Sequence, residues 1–111
     1  MDSILNSIKK MLGIEPDDVH FDAELVMHIN TVLGRLFQLG VGPKDSPYKI
    51  TGSGETWDEF IQDDQIETVK GYIFAKVKII FDPPSSSFVL ESYKDLAKEF
   101  EWCCNVDAET P

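Results

Sequence analysis

The feature that most constrains this chain is an apolar stripe repeating with helical period between Asp22 and Leu39. Leu25, Val26, Ile29, Val32, Leu33, Leu36 and Phe37 all fall on one side of a 3.6-residue turn. Asp22 is the expected N-cap, and Phe21 can meet Val26 across it as a hydrophobic staple. Gly40 is the expected stop, reinforced by Val41, Gly42 and Pro43. A helix of those 18 residues is about 27 Å long. Gly34 lies inside it, at a cost of about 1 kcal/mol against alanine. A close approach by another helix is the expected reason.

Three more helices follow from the same reasoning. Ser3 to Leu12 carries Ile4, Leu5, Ile8, Met11 and Leu12 at helical spacing, with Asp2 or Ser3 as cap and Gly13 as terminator. Lys9 and Lys10 suit its C-terminal dipole. A turn built on Pro16, Asp17 and Asp18 leads out of it. The spacing predicts a helix from Asp64, capped by that residue in a box with Glu67, to Phe81. Its inner side reads Ile66, Val69, Tyr72, Ile73, Val77, Ile80 and Phe81, and Asp82-Pro83-Pro84 ends it. Ser85 to Ser87 supply a new cap, and a last helix runs to about Cys104. Phe88, Val89, Tyr93, Leu96, Ala97, Phe100 and Cys104 are expected inward, and Glu91 can pair with Lys94 or Lys98.

Between the second and third of these helices lies an irregular arm, residues 40–63. GVGPKDSP is turn-rich, YKIT suits a short strand, GSGE is a loop, and TWDEFIQ offers a helical turn or two. A connection of that length is uncommon in compact domains and often functional. The expected fold class is therefore all-α: a bundle of about four helices with a long arm, holding a possible short β-hairpin, between helices 2 and 3. The 111 residues fit one domain, placed at residues 1–106, with 107–111 as a frayed polar tail.

Composition narrows the function classes. The net charge of −10 is uneven: residues 1–55 hold 8 acids and 5 bases, and the remainder 12 acids and 5 bases. Such a surface repels phosphate backbones and argues against sequence-reading nucleic-acid binding. No signal peptide is expected from MDSILNSIKKMLG, and no apolar run approaches the ~20 residues of a membrane helix. Cys103 and Cys104 are sequence neighbours, which suits free thiols in a reducing compartment.

Candidate catalytic patterns are weak. His20 and His28 lack cysteine partners at metal-ligand spacing. Asp17-Asp18, Asp58-Glu59 and Asp63-Asp64 lack the alternation and closing glutamate of a calcium loop. Gly52-Ser53-Gly54 has no phosphate-loop lysine, and no GxSxG elbow is present. The expectation is no enzyme, no metal and no cofactor. The aromatics say more: Tyr48, Trp57 and Phe60 fall in or beside the arm, and Trp102 near the end of the last helix. Two readings stand for them, a lid folded back over the bundle and anchors for a neighbouring subunit. All four are candidate interface residues.

Several segments together resemble the bacteriophage head–tail connector family, small helical neck adaptors. They are MDSILNSIKKMLGI, HFDAELVMHIN, QLGVGP, TWDEFI, VKGYIFAKVKIIFDPPSSSFVLES and LAKEFEW, in that order over residues 1 to about 105. FDPPSSS is the most distinctive. The chain departs at Cys103, where similar proteins tend to carry arginine. The resemblance implies a helical bundle that forms a ring with copies of itself below the portal protein. It implies contact with a downstream neck or tail-completion protein, and DNA passing through the channel without being read. It places the chain in the virion neck, and in the host cytoplasm during assembly. The rival expectation is a small acidic module that mimics DNA and inhibits a host protein; dispersal of the acids among lysines weakens it.

Overall fold

The computed structural model describes residues 3–43 and 45–109, with the side chains of all of these except 63 and 104–109. Five helices follow in order: α1 (Ile4–Met11), α2 (Asp22–Gln38), α3 (Trp57–Phe60), α4 (Asp63–Phe81) and α5 (Ser87–Glu109). The protein is thus all-helical, as expected, with the arm's TWDEFIQ segment supplying the fifth, one-turn element. No strand forms among the described residues. YKIT is irregular, and an isolated bridge pairs Ser3 with Thr56.

The termini of α1 follow its sequence. The Ser3 hydroxyl accepts the Asn6 N–H at 3.2 Å, and Ile4 N–H donates to the Glu55 carbonyl at 3.0 Å. Any cap from Asp2 lies outside the described residues. Gly13, at φ +81°, lets Ile14 N–H reach back to the Lys9 carbonyl. α2 ends in the same way, with Gly40 at φ +84° and Val41 N–H on the Leu36 carbonyl.

Two N-terminal caps differ from expectation. Phe21 is the N-cap residue of α2, and Asp22 is its first helical residue. The Asp22 carboxylate is drawn instead to Lys9 of α1, 2.8 Å away. α4 begins at Asp63, one residue before the predicted Asp64, with Gln62 as N-cap and no side-chain cap bond. The carboxylate half of a capping box is found on α3, where Glu59 accepts the Thr56 N–H at 2.9 Å.

The core is made by α1 through α4 and the arm: Ile4, Leu5, Ile8, Leu25, Ile29, Val32, Leu33, Leu36, Ile50, Trp57, Phe60, Val69, Tyr72, Ile73 and Val77 are buried. α4 packs against each of the other helices, and its C-terminal Phe81 meets Phe21 at the start of α2, ring centroids 5.3 Å apart. α5 follows the Asp82–Ser86 turn back along α4, pairing Phe100 with Tyr72 and Tyr93 with Phe74.

The inner face predicted for α5 is corrected. Ala97 is buried and Tyr93 and Phe100 are half-buried, but Phe88, Val89 and Leu96 are exposed. α5 packs on α4 through the side bearing Tyr93, Ala97 and Phe100, whereas Phe88 lies on the opposite side and Val89 and Leu96 at its edges. The side chain of Cys104 lies outside the described set. The helix runs to Glu109, past the expected end near Cys104, and 110–111 of the predicted tail lie outside the described residues. Ile80, expected inward on α4, is also exposed. Gly34 faces open space where a close helix was expected: an added Cβ would have no neighbour within 4 Å.

Candidate interaction surfaces

The arm is shaped by contacts that the composition of residues 40–63 does not reveal. Asn30 on α2 clamps the backbone of Ile50, donating to its carbonyl at 2.9 Å and accepting its N–H at 2.8 Å. This two-way amide contact gives the segment the pairing a strand partner would otherwise supply. The GSGE loop is closed by Glu55, which accepts from the Thr51 hydroxyl at 2.9 Å. That hydrogen bond holds the Glu55 carboxyl below its usual range.

Trp57 is only 1% exposed. Its indole N–H donates to Ser7 Oγ of α1 at 3.0 Å, and Lys70 Nζ of α4 lies 5.6 Å from the ring centroid. Phe60 is buried beside it, against Gly42 of the arm. Tyr48 is half-buried and stacks on Phe60, ring centroids 5.2 Å apart. Burial, then the nearby Glu59, Glu55 and Asp58 carboxylates, push the Tyr48 phenol above its ordinary value. Asp58, Glu59, Gln62 and Gln65 rim an open depression with Gly40 and Gly42 beside them. Thus the arm turns its aromatic side inward and its carboxylates outward.

Trp102 stands apart from these three. It is 67% exposed on α5, as is Phe88 at 80%, and both lie on the helix side turned away from Ala97. The two are 14 positions apart, about 21 Å along the helix. A second exposed apolar group, Val19, Phe21 and Met27, belongs to the entry and first turns of α2. Phe21 there lies edge-on to both His20 and Phe81, and His28 is 6.4 Å from Phe81. Both histidines therefore sit among aromatic rings.

Two polar centres were not anticipated. Lys9, fully buried, places its ammonium on the carbonyls of Pro16 (3.0 Å) and Asp18 (2.7 Å) and beside Asp22 Oδ1 (2.8 Å). The Asp22 contact is one of charge: that oxygen has no well-angled hydrogen bond. The sequence signal was Lys9's place four residues after Leu5, inside the apolar stripe of α1.

The second centre is Glu101 on α5, which takes Arg35 of α2 at 3.0 Å on one oxygen and the Tyr72 hydroxyl of α4 at 2.7 Å on the other. Lys76 stands 3.7 Å away. Burial alone would raise the Glu101 carboxyl. The hydrogen bonds from Tyr72 and Arg35, with the Lys76 charge, outweigh it and hold the group below its ordinary value. Burial first, then the bond to Glu101, pushes Tyr72 far above the normal phenol range. No feature of the linear sequence joins residues 35, 72 and 101.

Among the described residues no group of three or more His, Cys, Asp and Glu side chains is set to hold a metal ion. No helix among the described residues is long and apolar enough to cross a membrane. The polar clusters join one helix to the next, and Phe88 and Trp102 stand exposed on α5. These features define a helical protein with surfaces for contact.

The chain belongs to the phage connector protein family, whose model matches residues 4–111, nearly its whole length. That family is structural, a component of the phage neck. No curated protein and no solved structure matches the chain.

Proposed function

We propose that this protein is a neck adaptor that assembles with copies of itself into a ring between the portal and the tail, extending the DNA channel. The family match over residues 4–111 carries the reading. Charge supports the channel role. A wall built from subunits of net charge −10 repels the phosphate backbone and leaves DNA free to slide without being read. The portal lies on one face of the ring and a downstream neck or tail-completion protein on the other. Assembly proceeds in the host cytoplasm.

The contacts follow from what each element offers. α5 presents Phe88 and Trp102 to solvent, and large aromatics of this kind dominate binding hot spots. Trp57 and Phe60 act on the interface through the arm: their side chains face inward and hold the shape that a neighbour meets. Tyr48, half-buried at the arm's surface, touches the neighbour at its exposed edge. Contacts between unlike surfaces of successive copies close into a ring.

The test is absolute mass by light scattering over a wide concentration range, with and without portal protein. A ring-sized species, alone or on portal addition, is the expected result. Trp102→Ala should reduce it while leaving the circular dichroism spectrum unchanged. A strict monomer indifferent to portal overturns the reading.

A further inference from the structure

α5 is held differently from the rest of the molecule. Among the described side chains, Ala97 is the sole α5 member of the buried core, whose other members come from α1 to α4 and the segments between them. Two half-buried rings and one polar clamp add to the packing of α5 along α4. Phe100 stacks on Tyr72 (4.4 Å) and Tyr93 meets Phe74 edge-on (5.7 Å). Glu101 reaches α2 through Arg35 while binding Tyr72 of α4.

The outer side of α5 mixes charged side chains with large apolar ones. Phe88, Val89, Leu96 and Trp102 are exposed. They stand among the exposed charges Glu91, Asp95, Lys98 and Glu99, so part of the apolar surface of α5 is uncovered in the monomer. Its 23 residues exceed the 19 of α4, so it also outruns the helix it packs on.

We propose that α5 is a strap that opens from the α1–α4 body as one unit, and that the Arg35–Glu101–Tyr72 clamp is its latch. Opening takes Ala97 and Phe100 out of their seats and uncovers Tyr72 and Phe74. The hinge is the Asp82–Ser86 turn, where Pro83 and Pro84 already interrupt the helix. This device belongs to the single chain and does not depend on ring formation.

Native-state hydrogen exchange on the full chain tests it, because partial openings expose one element's amides while the others stay protected. In the unaltered protein, amides of α5 between 91 and 101 should exchange through an opening that leaves α2 and α4 protected. With Glu101→Gln, those α5 amides should exchange about tenfold faster or more, as expected when hydrogen bonds to a charged group are weakened. Protection in α2 should change by less than about twofold. A common opening for α5, α2 and α4 in the unaltered chain overturns the strap, and that measurement needs no variant to fold. Unchanged α5 exchange in Glu101→Gln, or equal loss of protection in all helices, overturns the latch.

Discussion

Lys9 is the residue whose role differs most from its sequence appearance. A lysine in the last turn of a helix ordinarily complements the dipole from solvent, and here it is buried with Pro16, Asp18 and Asp22 around its ammonium. It ties the turn after α1 to the start of α2, which is why Asp22 is not free to cap. Replacing it with methionine keeps the aliphatic stem but leaves two carbonyls and a carboxylate without their cation. Breaking a buried pair from one side costs about 3 kcal/mol. Lys9→Met should therefore lower the urea midpoint by a corresponding amount, and Lys9→Met with Asp22→Asn should recover part of it. Trp57 shows the opposite relation: its residue type marked it as important, and only folding showed that its ring faces Ser7 and Lys70.

At the level of elements, periodicity located α2 almost to the residue, because its stripe is long and Gly40 terminates it. α4 was also legible, aside from its first turn. α5 was legible as a helix but not as a face: Tyr93, Ala97 and Phe100 point to α4, while Phe88 and Leu96, of similar hydropathy, do not. An apolar pattern records which side chains can be buried, and the available partner surface decides which are. The glycines make this quantitative. Gly34→Ala meets no atom within 4 Å and should stabilise α2 by about 0.5–1 kcal/mol. Gly42→Ala should destabilise by more than that, since Gly42 sits at φ +90° and its added Cβ would overlap the Phe60 ring. Thermal melts of the two variants should move in opposite directions.

Across the whole molecule, Glu101 connects α2, α4 and α5 and so links stability to pH. Its carboxyl titrates below the usual 4.5 in the folded chain, and the unfolded chain restores the usual value. The stabilisation is therefore present in full above about pH 4.5 and is lost as pH falls through the lower, folded value. Glu101→Gln should melt below the unaltered protein at pH 7, and the gap should narrow towards pH 3. A gap that is constant across that range would exclude the ionised carboxylate as its source. The same acidity sets the outward character of the chain, since net −10 favours solubility and disfavours holding DNA.

Helical class, the place of α2 and α4, the Pro83-Pro84 break and the acidic balance are properties of the sequence alone. Each depends on local stereochemistry or on composition, which neighbours in space do not alter. The inward turn of Trp57 and Phe60, the burial of Lys9, the Asn30–Ile50 clamp and the meeting of Arg35, Tyr72 and Glu101 were decided only by the tertiary structure. These join residues 7 to 66 positions apart, such as Lys9 with Pro16 and Arg35 with Glu101. Whether a polar group faces water or a partner at such range depends on how helices pack, which no local pattern encodes.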